Sequence, residues 1–262
     1  MTGRSFVFEG YGVRARLGVP GDFDVAVLKR HVASEVQVED DSNGPLDLLL
    51  TCWNGTYHLV YGERRYGPYG SAEGAMRGVS SGIHFVLGKR SPMTFLHAGA
   101  VEIDGNAVIF PGRSRWGKST LVASLVEQGC GYMSDEYAVI SQHGTVFPLS
   151  KPIRLRKAGG AVHMDPPGVS APGGLHCSAL ILTRFEEGAQ WAPESMTSGS
   201  AILETLPCAL QSRECSEQVL DSLAALVRGA ECYRSSRGNL QPTAESIMAL
   251  VGDRLSSKEM SL

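Results

Sequence analysis

Ala107-Val108-Ile109-Phe110-Pro111-Gly112-Arg113-Ser114-Arg115-Trp116-Gly117-Lys118-Ser119-Thr120 is the stretch on which the reading of this chain turns. Gly112 to Ser119 matches G-x-x-x-x-G-K-[ST] without a gap. An apolar strand leads in. A helix is expected from Lys118 to Gln128, with Leu121, Val122, Leu125 and Val126 inward, and Gly129 stands where helices end. Strand, glycine loop and helix in this order present successive backbone N–H groups and a helix N-terminus to phosphate oxygens. Lys118 is placed to reach the β- and γ-phosphates, and the Ser119 hydroxyl to ligate Mg²⁺. Gly112, Arg113, Ser114, Arg115, Trp116, Gly117 and Thr120 complete the nucleotide loop. Arg113 and Arg115 can cover phosphate, meet an acidic substrate or project into solvent. Trp116 can stack on a base or substrate, or pack against the N-terminal lobe.

Composition bounds the rest. The chain has 262 residues, 24 Lys+Arg and 27 Asp+Glu, for a net charge of −3. That balance gives no field for general nucleic-acid binding. An apolar content of 43% excludes disorder. No apolar run approaches the roughly 18 residues of a membrane helix, and the opening MTGRSFVFEGYG has no charged segment followed by an apolar one. Six scattered cysteines without a C-x-x-C pair read as reduced thiols, so a cytoplasmic protein is expected. Glycine is high, at 31 residues, against roughly 7% in average usage.

Three regions are expected: residues 1–91 as a small α+β N-terminal lobe, 92–252 as an α/β domain built around the loop, and 253–262 as a frayed tail. In the lobe, Phe6 to Leu17 alternates like strands, and Asp22 caps a short helix running to about Val32. Asn54-Gly55 joins Leu46–Trp53 to Thr56–Tyr61 as a hairpin. Ala72 to Arg90 reads as a helix, with Gly74, Gly78 and Gly82 for close packing. Thr94–Ile103 and Asn106–Phe110 form a second hairpin about Asp104-Gly105. Strands are expected at Ala138–Ile140, Val146–Pro148, Ala179–Thr183 and Cys232–Arg234. Helices are expected at Ala201–Gln211, which Pro207 kinks or splits, and at Glu217–Val227 capped by Ser216. A last helix is opened by Pro242. Gly159 to Gly174 is either a mobile lid or a long connection. His163, Asp165, His176 and Cys177 fit no metal template.

Two features narrow the chemistry. Ser134-Asp135-Glu136 follows the helix, and adjacent carboxylates there can hold Mg²⁺ and accept a proton from a hydroxyl nucleophile. His97 lies on the strand next to the one feeding the loop, where it can approach the γ-phosphate. Arg154, Arg156 and Lys157 can neutralise transferred phosphate, dock an acidic peptide or face solvent.

His97-x-Gly99, the hairpin, the G-K-S loop, the helix ending in glycine and the short acid pair together resemble the catalytic core of the HPr kinase/phosphorylase family. The likeness covers Met93 to Arg156, and extends weakly to about residue 250 through Pro152–Leu155 and Ala179–Leu182. It implies a P-loop kinase core similar to that of phosphoenolpyruvate carboxykinase, with ATP and Mg²⁺ as cofactors. It further implies transfer to a serine hydroxyl of a peptide or protein partner. Lys118, Asp135 and His97 are then the catalytic residues. Ser119, Glu136 and Asp135 serve the metal, the two acids being exchangeable as base and ligand, and Arg154 and Arg156 meet the substrate. The L-E-x-R-G-x-G signature of the bifunctional enzymes is absent, the nearest segment being Ile153 to Gly160, so phosphorylase activity is not implied. The shorter members resemble tailoring kinases for ribosomally made peptides, lasso-peptide precursors among them, and a small homo-oligomer such as a dimer is expected. Two rivals stay open, a nucleotide-binding regulatory protein without transfer and a small-molecule kinase. No N-K-x-D or L-S-G-G-Q motif supports a GTPase or transport ATPase.

Overall fold

Alternating apolar residues build the first of two units into which the chain divides, Met1–Pro92 and Met93–Leu262. A computed structural model describes residues 3–21, 23–40, 44–157, 160–165 and 173–259. The first unit contains β1 (Arg4–Gly10), β2 (Val13–Val19), α1 (Val25–Lys29), β3 (Gln37–Asp40), β4 (Leu48–Trp53), β5 (Thr56–Tyr61), β6 (Arg64–Tyr69) and α2 (Ala72–Arg90). Its sheet has the order β3-β1-β2-β4-β5-β6. The β4–β5 hairpin turns on Asn54 and Gly55 at φ 47° and 73°, the type I′ geometry that the pair encodes. Helix α2 starts where Ser71 accepts the Gly74 N–H. Its glycines let it pack close: a Cβ on Gly78 would meet the Tyr69 ring, and one on Gly82 the Leu59 side chain. Strand β6 was not anticipated. Helix α1 is shorter than expected, and its cap is Asp24, which accepts the N–H groups of Ala26 and Val27. Asp22 lies outside the described residues.

The second unit is a mixed α/β fold. It comprises β7 (Thr94–Ile103), β8 (Asn106–Pro111), α3 (Lys118–Glu127), β9 (Gly131–Ser134), β10 (Tyr137–Ile140), β11 (Val146–Phe147), β12 (Ile153–Lys157), β13 (Gly160–Met164), β14 (Cys177–Phe185), β15 (Glu194–Ser195), α4 (Ser198–Thr205), α5 (Ser216–Gly229), β16 (Glu231–Arg237) and α6 (Leu240–Glu259). The main sheet runs β11-β10-β7-β8-β14-β16-β15, with β9 also on β7. Strands β8, β14 and β16 are parallel neighbours. Their alternation feeds two cores. Ile109, Leu180 and Leu182 pack with Ala201, Val219 and Leu223 of α4 and α5. Val108, Phe110 and Ile181 pack with Leu121, Val122, Ala244 and Ile247 of α3 and α6. A sheet covered on both faces places its ligand site at the carboxyl ends of its parallel strands.

Several expectations are corrected. Proline lacks the N–H a helix needs at Pro207, so α4 stops at Thr205 and a 3₁₀ turn follows over Leu206–Cys208. Ser216 is the first residue of α5 rather than its cap, because the chain turns one residue earlier, at Cys215. Pro242 is the third residue of α6, among the first-turn groups that lack intrahelical partners anyway. The helix runs to Glu259, so the backbone of 253–259 is helical rather than frayed. The expected lid divides: Gly160–Met164 pairs with β12, while Pro166–Pro172 lies outside the described residues.

The seat of α3 depends on Gly99. A Cβ there would stand 2.6 Å from Val122 Cγ2. Gly99→Ala is expected to destabilise the protein by about 1–3 kcal/mol through overpacking, read as a lowered denaturation midpoint. Val122→Ala in the same chain should recover part of that loss. An unchanged midpoint in Gly99→Ala contradicts this packing.

Candidate active site

The loop leaves β8 and turns back into α3 through two left-handed residues, Arg115 at φ 72° and Gly117 at φ 81°. Gly117 precedes Lys118 as the backbone N-cap. Only glycine suits this position: a Cβ would be 2.6 Å from the Arg237 guanidinium. Arg113, Ser114 and Arg115 are exposed, while Trp116 and Gly117 are half-buried and Gly112 is buried. The Trp116 indole lies over Gly112, 2.8 Å from where a Cβ would stand.

Lys118 is buried, and its Nζ donates to the carbonyls of Gly112 (2.7 Å) and Arg113 (3.0 Å). Burial lowers its pKa to about 8, against the pull of Cys208, Asp135 and Glu136. The acid turn is built by Ser134, whose hydroxyl accepts the N–H groups of Glu136 (3.2 Å) and Tyr137 (3.1 Å). Asp135 is 8% exposed. Burial pushes its carboxyl above the usual range, and Glu136 adds to this. Lys151, the Ser119 hydroxyl and the Arg154 backbone N–H favour the ionised form, the last two by hydrogen bonds. Glu136 forms an ion pair with Lys151. His97 shares the face of β7 with Gly99, opposite Tyr137 in register, and its carbonyl accepts the Gly112 N–H at 3.2 Å. Burial first, then Lys118, depress its pKa to about 4, so it is neutral at pH 7.

Lys118, Ser119, Asp135, Glu136 and His97 are therefore neighbours. Arg154 meets Asp135 by its backbone, and its side chain is exposed. Arg156 occupies β12 opposite Ala161. Among the described residues, no three His, Cys, Asp or Glu side chains form a metal cluster. Ser119 with Asp135 is instead a two-ligand oxygen set. It suits Mg²⁺, which keeps waters and takes further oxygens from phosphate.

Two cations escaped the sequence reading. Lys151 precedes the basic segment that was noted, and no motif marks it. Arg237 is 2% exposed, at the end of β16. One guanidinium nitrogen donates to the carbonyls of Trp116 (3.3 Å) and Gly117 (2.7 Å), and no carboxylate pairs with it among the described residues. Burial lowers its pKa to about 10. Only the parallel pairing of β14 with β16 brings it beneath the loop, so no local signal could reveal it.

No protein-family model matches the sequence, and no curated protein matches it. Among solved structures, the HPr(Ser) kinase/phosphatase from Coxiella burnetii aligns over 63% of this chain and 98% of that chain, at 15% identity and a TM-score of 0.35.

Two outcomes follow from the buried cations. Lys118 is half-deprotonated near pH 8 when free, and a bound triphosphate returns it toward its ordinary value of about 10.4. ATP binding should thus take up a proton at about pH 9 but not at pH 7, measured by calorimetry in buffers of different ionisation enthalpy. Binding without uptake at pH 9 contradicts the assignment. Arg237→Met, which removes a charge-assisted hold on the loop, should weaken ATP binding roughly tenfold, about 1.4 kcal/mol. Arg237→Lys should recover part of it, and unchanged affinity in both variants opposes this role.

Proposed function

We propose that this chain is an ATP- and Mg²⁺-dependent kinase that transfers the γ-phosphoryl group to a serine hydroxyl of a peptide or protein. The observation that carries the reading is the buried Asp135 carboxyl, 8% exposed and electrostatically coupled to Lys118, behind a G-x-x-x-x-G-K-S loop. Phosphoryl transfer needs little covalent chemistry from the protein; it needs positioning and charge. The loop amides and Lys118 hold the phosphate oxygens. Mg²⁺, when bound, offsets charge on the β- and γ-oxygens, with Ser119 and an Asp135 oxygen as its protein ligands.

Asp135 receives the proton of the attacking hydroxyl on the carboxylate oxygen that does not hold the cation. Glu136 fixes Lys151 beside Asp135, where the ammonium neutralises transferred charge. Neutral His97 steadies the loop entry through its backbone and leaves the positive charge to Lys118. Arg154 and Arg156 serve an acidic acceptor. The resemblance of the loop and acid pair to short HPr-kinase-like proteins favours a ribosomally made precursor peptide of lasso type as that acceptor.

Incubation with ATP, Mg²⁺ and candidate serine peptides should add about 80 Da per phosphate to a peptide. Lys118→Ala should abolish transfer by removing charge stabilisation at the γ-phosphate. Asp135→Asn should leave ATP bound while stopping turnover. Transfer only to small molecules redirects the acceptor class. Bound ATP with no transfer to any acceptor makes the chain a nucleotide-binding regulator instead. Full activity in Lys118→Ala moves the catalytic site away from the loop.

A further inference from the structure

The loop has two flanks, and only one holds the acid turn. Strand β7, with β9 and β10 and therefore Asp135, lies on one side of β8; β14 and β16 lie on the other. A cavity of about 750 Å³ opens on the second flank. Its floor is the carboxyl ends of β14 and β16, from Leu182 to Arg184 and from Arg234 to Ser236, and the loop contributes Arg113 and Trp116. The opposite wall is the end of α4 and the turn after it, including Leu203, Pro207 and Cys208. Its volume is within the roughly 300–1,000 Å³ of small-molecule sites.

We infer that this cavity is the nucleoside subsite, holding the base and ribose of the nucleoside triphosphate whose phosphates lie in the loop. The inference rests on the proposed kinase reading and adds where the ligand's organic half goes. Transfer is in line, so the attacking hydroxyl and the departing diphosphate oxygen stand on opposite sides of the γ-phosphorus. The hydroxyl's base, Asp135, defines the acceptor side. The diphosphate and its nucleoside then extend toward the other flank, where the cavity begins at the loop itself.

The lining suits this occupant. Leu182, Leu203, Pro207 and the Trp116 indole give apolar and aromatic surface for a base. Gln190 and Ser236 add polar groups to the lining. Of the two acids in the lining, Glu204 is paired and Glu194 is exposed to solvent. Arg234 pairs with Glu204, and Glu186 accepts from Ser236 at 2.9 Å and lies 3.7 Å from Arg184. Arg113, in the loop between cavity and phosphates, has no carboxylate partner among the described residues and faces the bridge from ribose to phosphate. Cys208 stands at this junction too, receiving the Gly112 N–H, with its thiol pushed up by burial against the influence of Lys118 and Arg113.

The test compares ATP, GTP and inorganic tripolyphosphate, each with Mg²⁺, by calorimetry on the full chain. The variants are Ala192→Trp and Leu203→Trp, which narrow the cavity from two walls at exposed positions, Leu203 being 70% exposed. The wild type should bind ATP at least tenfold more tightly than tripolyphosphate. Both variants should lose at least tenfold for ATP while tripolyphosphate stays within twofold, and GTP reports whether the cavity discriminates purines. Unchanged ATP affinity in both variants overturns the subsite, and so does equal wild-type affinity for ATP and tripolyphosphate. Equal losses for both ligands place the effect in the loop and also overturn it. Wild-type protein that binds neither ligand overturns the kinase reading itself, and with it the subsite.

Discussion

A buried guanidinium without a carboxylate underlies the arrangement of the second unit. Arg237 holds the carbonyls of Trp116 and Gly117 and so fixes the loop at the left-handed Gly117, where it enters α3. Burying an uncompensated charge is costly. Here the carbonyl dipoles offset part of that cost, and the remaining positive charge adds to the field of the helix N-terminus above it. Strands β14 and β16 must be parallel and in register to bring Arg237 there, so the loop's shape depends on the far side of the sheet as well as on its own glycines.

The same economy governs the acid side. Asp135 and Glu136 are adjacent in sequence but are put to different uses by the Ser134 turn. Asp135 is buried against Ser119, and Glu136 pairs with Lys151. The two neighbours thus sit in different surroundings, one carboxyl raised in pKa by burial and the other paired with a lysine, a division found where two acids take distinct roles. His97 is held neutral by burial and Lys118. The result is a site whose positive charge comes from Lys118, Lys151 and Arg237 and whose buried acid is Asp135.

Legibility in the sequence followed range of interaction. The strand, loop and helix from Ala107 to Glu127 were readable because each part is encoded within a few residues: alternation, paired glycines, an apolar stripe. Both hairpin turns were readable for the same reason, since Asn-Gly and Asp-Gly specify their own dihedral angles. Strands β9, β12, β13 and β15 were not, being short and defined by the neighbours they pair with rather than by their own pattern. The acid pair and His97 were legible as candidates, but the split between Asp135 and Glu136 depends on Lys151 and Ser119, which meet them only in the fold. Arg237 and the cavity beside Trp116 are products of strand order alone.

The most direct measurement of the central claim is a structure of the full chain with Mg²⁺ and a non-hydrolysable ATP analogue. The account predicts the γ-phosphate at Lys118 Nζ, the cation between Ser119 and Asp135, and the nucleoside in the cavity bounded by Trp116, β14 and β16. Phosphates seated away from the loop, or a cation held without Ser119 and Asp135, would contradict it.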